Sequence, residues 1–393
     1  NKTNQYVKLN FNKTKIHLNI SELNLLLKLQ NPKILVKKKE IDLHKLELIL
    51  SLKSLYSSDL LLKKINLSFK ENKIKDLTKV TDIFIPKFLN NQISRILSKG
   101  IIEGEIIIPF TKEGKIHSNF DFNGKIRDAN LNISKDFQIK NLTTQVKYEG
   151  RKEKEINITI EKGSVLNLKL EKSLIDIKIL KDKKIIKSKI LTKGKTDYLV
   201  IKKISPLLGL NLDYIKNIEF NSNLETNFDL LLSKKFKIIN SNFTTKGKIS
   251  NLNLEHKKIE NLNNFLPSYE SKISLKDTEI NLEGVGKDLK LSGLIKFKND
   301  YNNFSLNLSD KNKNLIAVAN IDLSDLPLSI SKLNYKQKKN KNAKLNFNVL
   351  KNLKGYKIKK IFYIEENNRL EIDGIELNNN LEIKKIQSAK IKT

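Results

Sequence analysis

Ser118-Asn119-Phe120-Asp121-Phe122-Asn123-Gly124-Lys125-Ile126, followed by Leu131, returns later in the chain as Ser241-Asn242-Phe243-Thr244-Thr245-Lys246-Gly247-Lys248-Ile249, followed by Leu254. The offset from Ser118 to Ser241 equals the offset from Leu131 to Leu254. Ile139-Lys140-Asn141-Leu142 closes the first copy, and Ile259-Glu260-Asn261-Leu262 closes the second slightly earlier. Each copy is expected to form a strand, a tight Gly-containing turn and a returning strand. A period-2 hairpin reused along a chain points to an extended β architecture rather than a compact enzyme core.

Outward from the repeat, alternation continues in both directions. Ile41, Leu43, Leu46, Leu48, Leu50 and Leu52 define one early face. The two-residue step returns in Ile156/Ile158/Ile160, Leu166/Leu168/Leu170 and Ile175/Ile177/Ile179, then in Leu289/Leu291, Ile295/Phe297, Phe304/Leu306/Leu308 and Leu345/Phe347/Val349. Lys, Asn, Asp and Glu occupy the positions between, the pattern of antiparallel strands with one dry and one wet face.

Two segments depart from it. From Asp76 to Ser98, Leu77, Val80, Phe84, Phe88, Ile93, Ile96 and Leu97 recur at helical spacing, and Gly100 suits a C-terminal cap. Ser205 reads as an N-cap and Pro206 as the first helical residue of a shorter helix, with a weaker break near Pro267. The expected organisation is a strand-rich start (1–75), an amphipathic helix (76–100), a first β block (101–202), a short helix (203–217) and a second β block (218–393). The fold class is therefore mainly β: an elongated, twisted, mostly antiparallel sheet forming an open apolar groove, with two or three short helices.

The 393 residues carry a formal net charge of +32, yet Arg95, Arg127, Arg151 and Arg369 are the only arginines. Base readout favours Arg, and Lys is spread evenly from end to end, so a solvated lysine face is expected rather than a nucleic-acid site; an anionic membrane surface remains compatible. Zero Cys removes disulfides and thiolate chemistry. With no Met at its start, the chain is expected to be a fragment that begins inside a longer protein, with any signal peptide or membrane anchor upstream of it.

Catalytic signatures fail on inspection, and no enzyme activity, metal or cofactor is expected. Gly194-Lys195-Thr196 resembles the end of a phosphate loop, but Lys189 stands where the first Gly belongs, and Asp197-Tyr198-Leu199-Val200 reads as a strand. Gly284-Val285-Gly286-Lys287 lacks the first Gly too, so both are expected to be β-turns. His17, His44, His117 and His256 are dispersed, and the carboxylate pairs Asp322/Asp325 and Glu365/Glu366 are no more than an acidic composition produces. The apolar face itself remains. It must close on itself, pair with another sheet or hold an apolar ligand, for which lipid tails are the natural occupant.

The order of elements resembles the opening of AsmA-like proteins of Gram-negative bacteria. The resemblance is carried by Asn31-Pro32-Lys33-Ile34-Leu35-Val36, Ile41 to Leu52, Ser54-Leu55 and Ile65-Asn66-Leu67-Ser68-Phe69. Ile85-Pro86-Lys87-Phe88-Leu89 through Gly100-Ile101-Ile102-Glu103-Gly104, then Phe120-x3-Gly124-Lys125-Ile126, is similar to the YhdP-like branch of this family, whose members include the AsmA/TamB-type bridge-like lipid transfer proteins.

The resemblance implies a long β groove in the periplasm, anchored to the inner membrane through a missing N-terminal segment, carrying phospholipid to the outer membrane and meeting outer-membrane components there. The partners implied are phospholipid acyl chains, with no nucleic acid. Groove-lining candidates are Phe120, Phe122, Ile126, Ile158, Leu168, Ile177, Phe243, Ile249, Leu291, Phe297, Leu306 and Phe347. The competing expectation is a structural or adhesive β-repeat protein whose sheets close on a dry core.

Overall fold

The structure is a computed structural model that describes residues 7–36, 39–55, 61–81, 96–111, 113, 117, 119–132, 138–150, 154–208, 212–234, 237–258, 270–283, 288–296, 300–311, 314–323, 329–330, 335–336, 343–352, 355–378 and 383–392. The protein is mainly β. Twenty-two of its strands belong to one antiparallel sheet. The chain divides into two compact units, Asn1–Ile190 with Asp229–Ser241, and Leu191–Phe228 with Asn242–Thr393.

The first unit contains β1 (Val7–Asn10), β2 (Lys13–Asn19), β3 (Asn24–Gln30), β4 (Lys33–Val36), β5 (Lys39–Ser51), β6 (Leu62–Lys73), helix α1 (Ile74–Thr81), β7 (Leu97–Pro109), β8 (Asp121–Asn132), β9 (Gln138–Glu149), β10 (Glu155–Val165) and β11 (Leu168–Ile179). Pairing runs β2, β3, β5, β6, β7, β8, β9, β10, β11, while β1 and β4 form a side ladder on β5. β12 (Lys183–Asp197), α2 (Tyr198–Leu208), β13 (Ile215–Ser233) and β14 (Ile238–His256) follow, and the division between the units passes through these three strands. The second unit continues with β15 (Lys272–Glu283), β16 (Asp288–Lys296), β17 (Tyr301–Lys311), β18 (Asn314–Asp322), β19 (Ser329–Ile330), β20 (Tyr335–Lys336), β21 (Ala343–Asn352), β22 (Gly355–Glu365), β23 (Asn368–Leu377) and β24 (Ile383–Lys392). Its ladder runs β14 to β18, then β21 to β24, and β19 pairs with β20.

The two copies of the repeat are not hairpins. From Asp121 to Leu131 the first copy runs along one strand, β8, the second lies within β14, and each glycine pairs across the sheet. A Cβ on Gly124 would lie 2.5 Å from Cζ of Phe122 and 2.8 Å from the Glu103 carbonyl oxygen. A Cβ on Gly247, at φ +153°, would lie 2.2 Å from the Asn223 carbonyl oxygen. These glycines mark close approach of backbone and ring, a use that the residue type alone does not separate from a turn. Gly194 likewise lies within β12, while 284–287 fall outside the described residues.

The helices also differ from expectation. α1 ends its described course at Thr81, residues 82–95 lie outside the described residues, and Leu97 to Gly100 are already strand, so Gly100 caps no helix. Asp197, not Ser205, starts the second helix: its Oδ1 accepts from the Val200 amide at 3.0 Å, whereas the Ser205 hydroxyl donates back to the Lys202 carbonyl from inside the helix. The region near Pro267 lies outside the described residues.

Four apolar clusters form the core, and each is assembled sideways. Leu29, Leu43, Leu46, Leu48, Ile65 and Leu67 come from β3, β5 and β6, with Leu77 of α1 laid on them. Ile126, Ala129, Leu142, Ile160 and Leu170 come from β8 to β11, with Ile74 of α1 added. In the second unit, Leu275, Ile295 and Phe304 form one cluster, and Leu323, Ala343, Tyr363 and Leu370 another. Among the described residues, α1 is the only helix that joins any of these clusters.

Candidate functional site

Side chains directly opposite one another on paired antiparallel strands share a face. In the first unit Leu29, Leu46, Leu67, Ile106, Phe122, Tyr148, Ile156 and Ile177 therefore form one row across eight strands. The next row on this face is Phe69, Gly104, Gly124, Val146, Ile158 and Ile175. Its two glycines leave a floor on which the rings of Phe69 and Phe122 stack, 6.4 Å apart and 13° from parallel. The second unit repeats the arrangement, with Gly247, Ile280, Leu291, Leu306, Ala319, Phe347, Ile361, Ile372 and Ala389 in one row.

Irregularities keep these rows apolar where simple alternation would turn them over. Ile126 and Ala129 are separated by an odd number of positions, yet both join the same cluster, because Asp128 adopts φ +51°. Asn141 at +51° and Lys172 at +46° do the same for β9 and β11, so Leu170 and Ile175 reach one face despite opposite parity. In β5 a register shift between Leu43 and Lys45 brings Leu43 and Leu46 together.

Of the predicted lining residues, Phe122, Ile126, Ile158, Leu168 and Ile177 lie on this face of the first unit. Phe120 joins them through an edge-to-face contact with Tyr148 at 4.9 Å. Ile249, Leu291, Leu306 and Phe347 lie on the corresponding face of the second unit, and Phe243 precedes Thr245, Gly247 and Ile249 by the strand's two-residue step. Phe297 lies outside the described residues. Ile126 and Ile249 are buried, Phe120 is exposed, and the others described remain half-buried. Tyr148, Val146, Ile175, Ile361 and Ile372 complete the rows. Register identifies Tyr148, Val146, Ile361 and Ile372, whereas Ile175 already alternates with Ile177 in sequence.

The opposite face is wet and ionic. Lys125 meets Glu161 at 2.9 Å, Asn157 donates to Asp176 at 2.8 Å and Lys248 meets Asp277 at 3.0 Å. Glu47 is buried on this face among Lys45 at 2.9 Å, Lys28 at 3.3 Å and Asn66 at 3.2 Å. Burial alone would push its carboxyl up, but those three partners outweigh it and hold the group below the usual carboxylate range. A depression of about 700 Å³ in the second unit is lined by Lys246, Lys248, Glu279, Asn281 and Lys290 together with Gly247, Ile280 and Leu291.

Among the described residues no His, Asp and Glu side chains group as a metal site, and no helix is long and apolar enough to cross a membrane. Comparison of the chain with protein-family models, with curated proteins and with solved structures finds no match.

Proposed function

We propose that this chain is a periplasmic lipid-transfer scaffold, anchored to the inner membrane, whose apolar face forms a groove that carries phospholipid tails toward the outer membrane. The observation that supports it is an apolar face in each unit whose residues, Phe122, Ile158, Ile177, Leu291 and Phe347 among them, stay half-buried, while among the described residues the clusters are built from lateral neighbours and α1. A half-buried apolar face of this kind is a surface on which an apolar ligand can lie. Each methylene withdrawn from water contributes about 0.8 kcal/mol, so two tails of about 16 carbons gain roughly 25 kcal/mol from a continuous dry path. The head group can remain in water. The likeness of the opening strands to AsmA-like proteins points the same way.

The test is a photo-crosslinking side chain placed at Ile158 or Leu291, with Asn157 on the wet face as the control, in cells making the full chain. Lipid adducts at Ile158 and Leu291 and none at Asn157 are expected. Adducts only to protein, at every position, would replace the groove with a dry closed core. As a second measurement, Ile158→Asp with Leu168→Asp should reduce co-purified phospholipid several-fold while far-UV circular dichroism keeps the strand signal.

A further inference from the structure

One edge of the first unit gathers hairpin tips. The Ile179 amide donates to the Lys154 carbonyl at 3.1 Å, tying the β11 end to the turn before β10. The Lys234 amide donates to the Asp182 carbonyl at 2.9 Å, and Lys184 Nζ donates to the Lys234 carbonyl at 2.9 Å, tying the β11–β12 tip to the β13–β14 tip. That last tip is closed by the Ser233 amide on the Lys237 carbonyl at 2.8 Å and by the Lys237 amide on Oγ of Ser233 at 3.0 Å. Segments distant in sequence thus present Lys154, Lys181, Lys183, Lys184, Lys234 and Lys237 together, with Asp182 among them and Glu155, beside Lys154, ion-paired to Lys178.

The same tips expose aliphatic side chains. Leu180 is 42% exposed, Ile238 67% and Ile239 58%. Ile238 and Ile239 are consecutive in β14 and point to opposite faces, so both sides of the strand start are bare. An exposed lysine cluster is ordinarily a solvated surface, and an exposed Ile is ordinarily isolated. Their coincidence on hydrogen-bonded tips fits an interface where apolar groups enter hydrocarbon while ammonium groups meet phosphate.

We propose that this edge docks on an anionic lipid bilayer, with Leu180, Ile238 and Ile239 entering the interface and the surrounding lysines contacting lipid phosphates. The proposal does not rest on the groove, because it is read from binding to a vesicle surface rather than from transport. The full chain is sedimented with vesicles of phosphatidylcholine alone or with phosphatidylglycerol. Binding only to the second is expected, weakening as salt rises.

Replacing Lys181, Lys183, Lys234 and Lys237 with Ala should weaken it at least about 100-fold, at roughly five-fold per lysine. Ile238→Ser with Ile239→Ser should weaken it about ten-fold or more without changing the salt dependence. All of these side chains are exposed, so the variants are expected to fold, and circular dichroism checks this. Unchanged vesicle binding in the lysine variant would overturn the proposal. So would insensitivity to the isoleucine pair combined with tighter binding to duplex DNA, which would make the patch a polyanion surface.

Discussion

The two copies of the repeat place the same glycine in the same setting and fill the space beside it differently. In β8, Phe122 folds its ring over Gly124 and stacks on Phe69. In β14 the corresponding residue is Thr245, buried, whose hydroxyl meets that of Thr226 at 3.1 Å. Farther along, Ile126, Ala129 and Leu131 match Ile249, Leu252 and Leu254 in facing their own unit's apolar side. A left-handed residue, Asp128, lies within the first copy, whereas Asp277, on the strand paired with the second, is left-handed there. Backbone approach thus fixes the glycine, whereas the neighbouring side chain and the carrier of the bulge are free to vary.

The glycines are where this comparison can be broken most easily. Gly247→Ala should destabilise by about 3 kcal/mol or more, since its Cβ would meet a carbonyl oxygen at 2.2 Å with φ at +153°. Gly124→Ala should cost about 2 kcal/mol, because the Phe122 ring can yield although the Glu103 carbonyl cannot. Urea denaturation midpoints measure both, and a neutral Gly247→Ala would remove close approach as the reason for the shared glycine.

Smaller effects sharpen the difference in filling. Phe122→Ala should cost about 1.5 kcal/mol, less than a fully buried ring, and Phe69→Leu should then add little, since the stack is already lost. Thr245→Val should cost about 1 kcal/mol by leaving Thr226 without its hydroxyl partner. If Thr245→Val proved as costly as Phe122→Ala, the two fillings would not differ in kind.

The smallest effect is a pH dependence belonging to the first unit. Because Glu47 is held below its unfolded value, its contribution is present above the ordinary carboxylate range and is lost as pH falls through its lowered folded value. Glu47→Gln should flatten that acid limb of the urea midpoint and leave the neutral side with a constant loss. An unchanged acid limb would show that Lys28 and Lys45 contribute nothing there.

Much of the sheet is legible in the sequence because period-2 alternation imposes a face. Ile156, Ile158 and Ile160 can bury together only if they alternate with solvent-facing partners. Alternation misleads where one residue in the left-handed region inverts parity, as at Lys172, and nothing in the residue type announced that inversion. The helix starting at Asp197 was misread as strand because Leu199 and Val200 suit either state, and the deciding feature is the hydrogen bond from Val200 to Asp197.

The sequence by itself determined that this chain is mainly β and built of antiparallel strands, since this follows from local periodicity. Tertiary structure alone decided that Gly124 and Gly247 are strand interiors rather than turns, and which rows the apolar residues join. It also decided that lysines from hairpins far apart in sequence share one edge. The physical reason is that a glycine's role and a row's composition depend on what the adjacent strand places within a few ångströms, and pairing register is a property of two strands, not one.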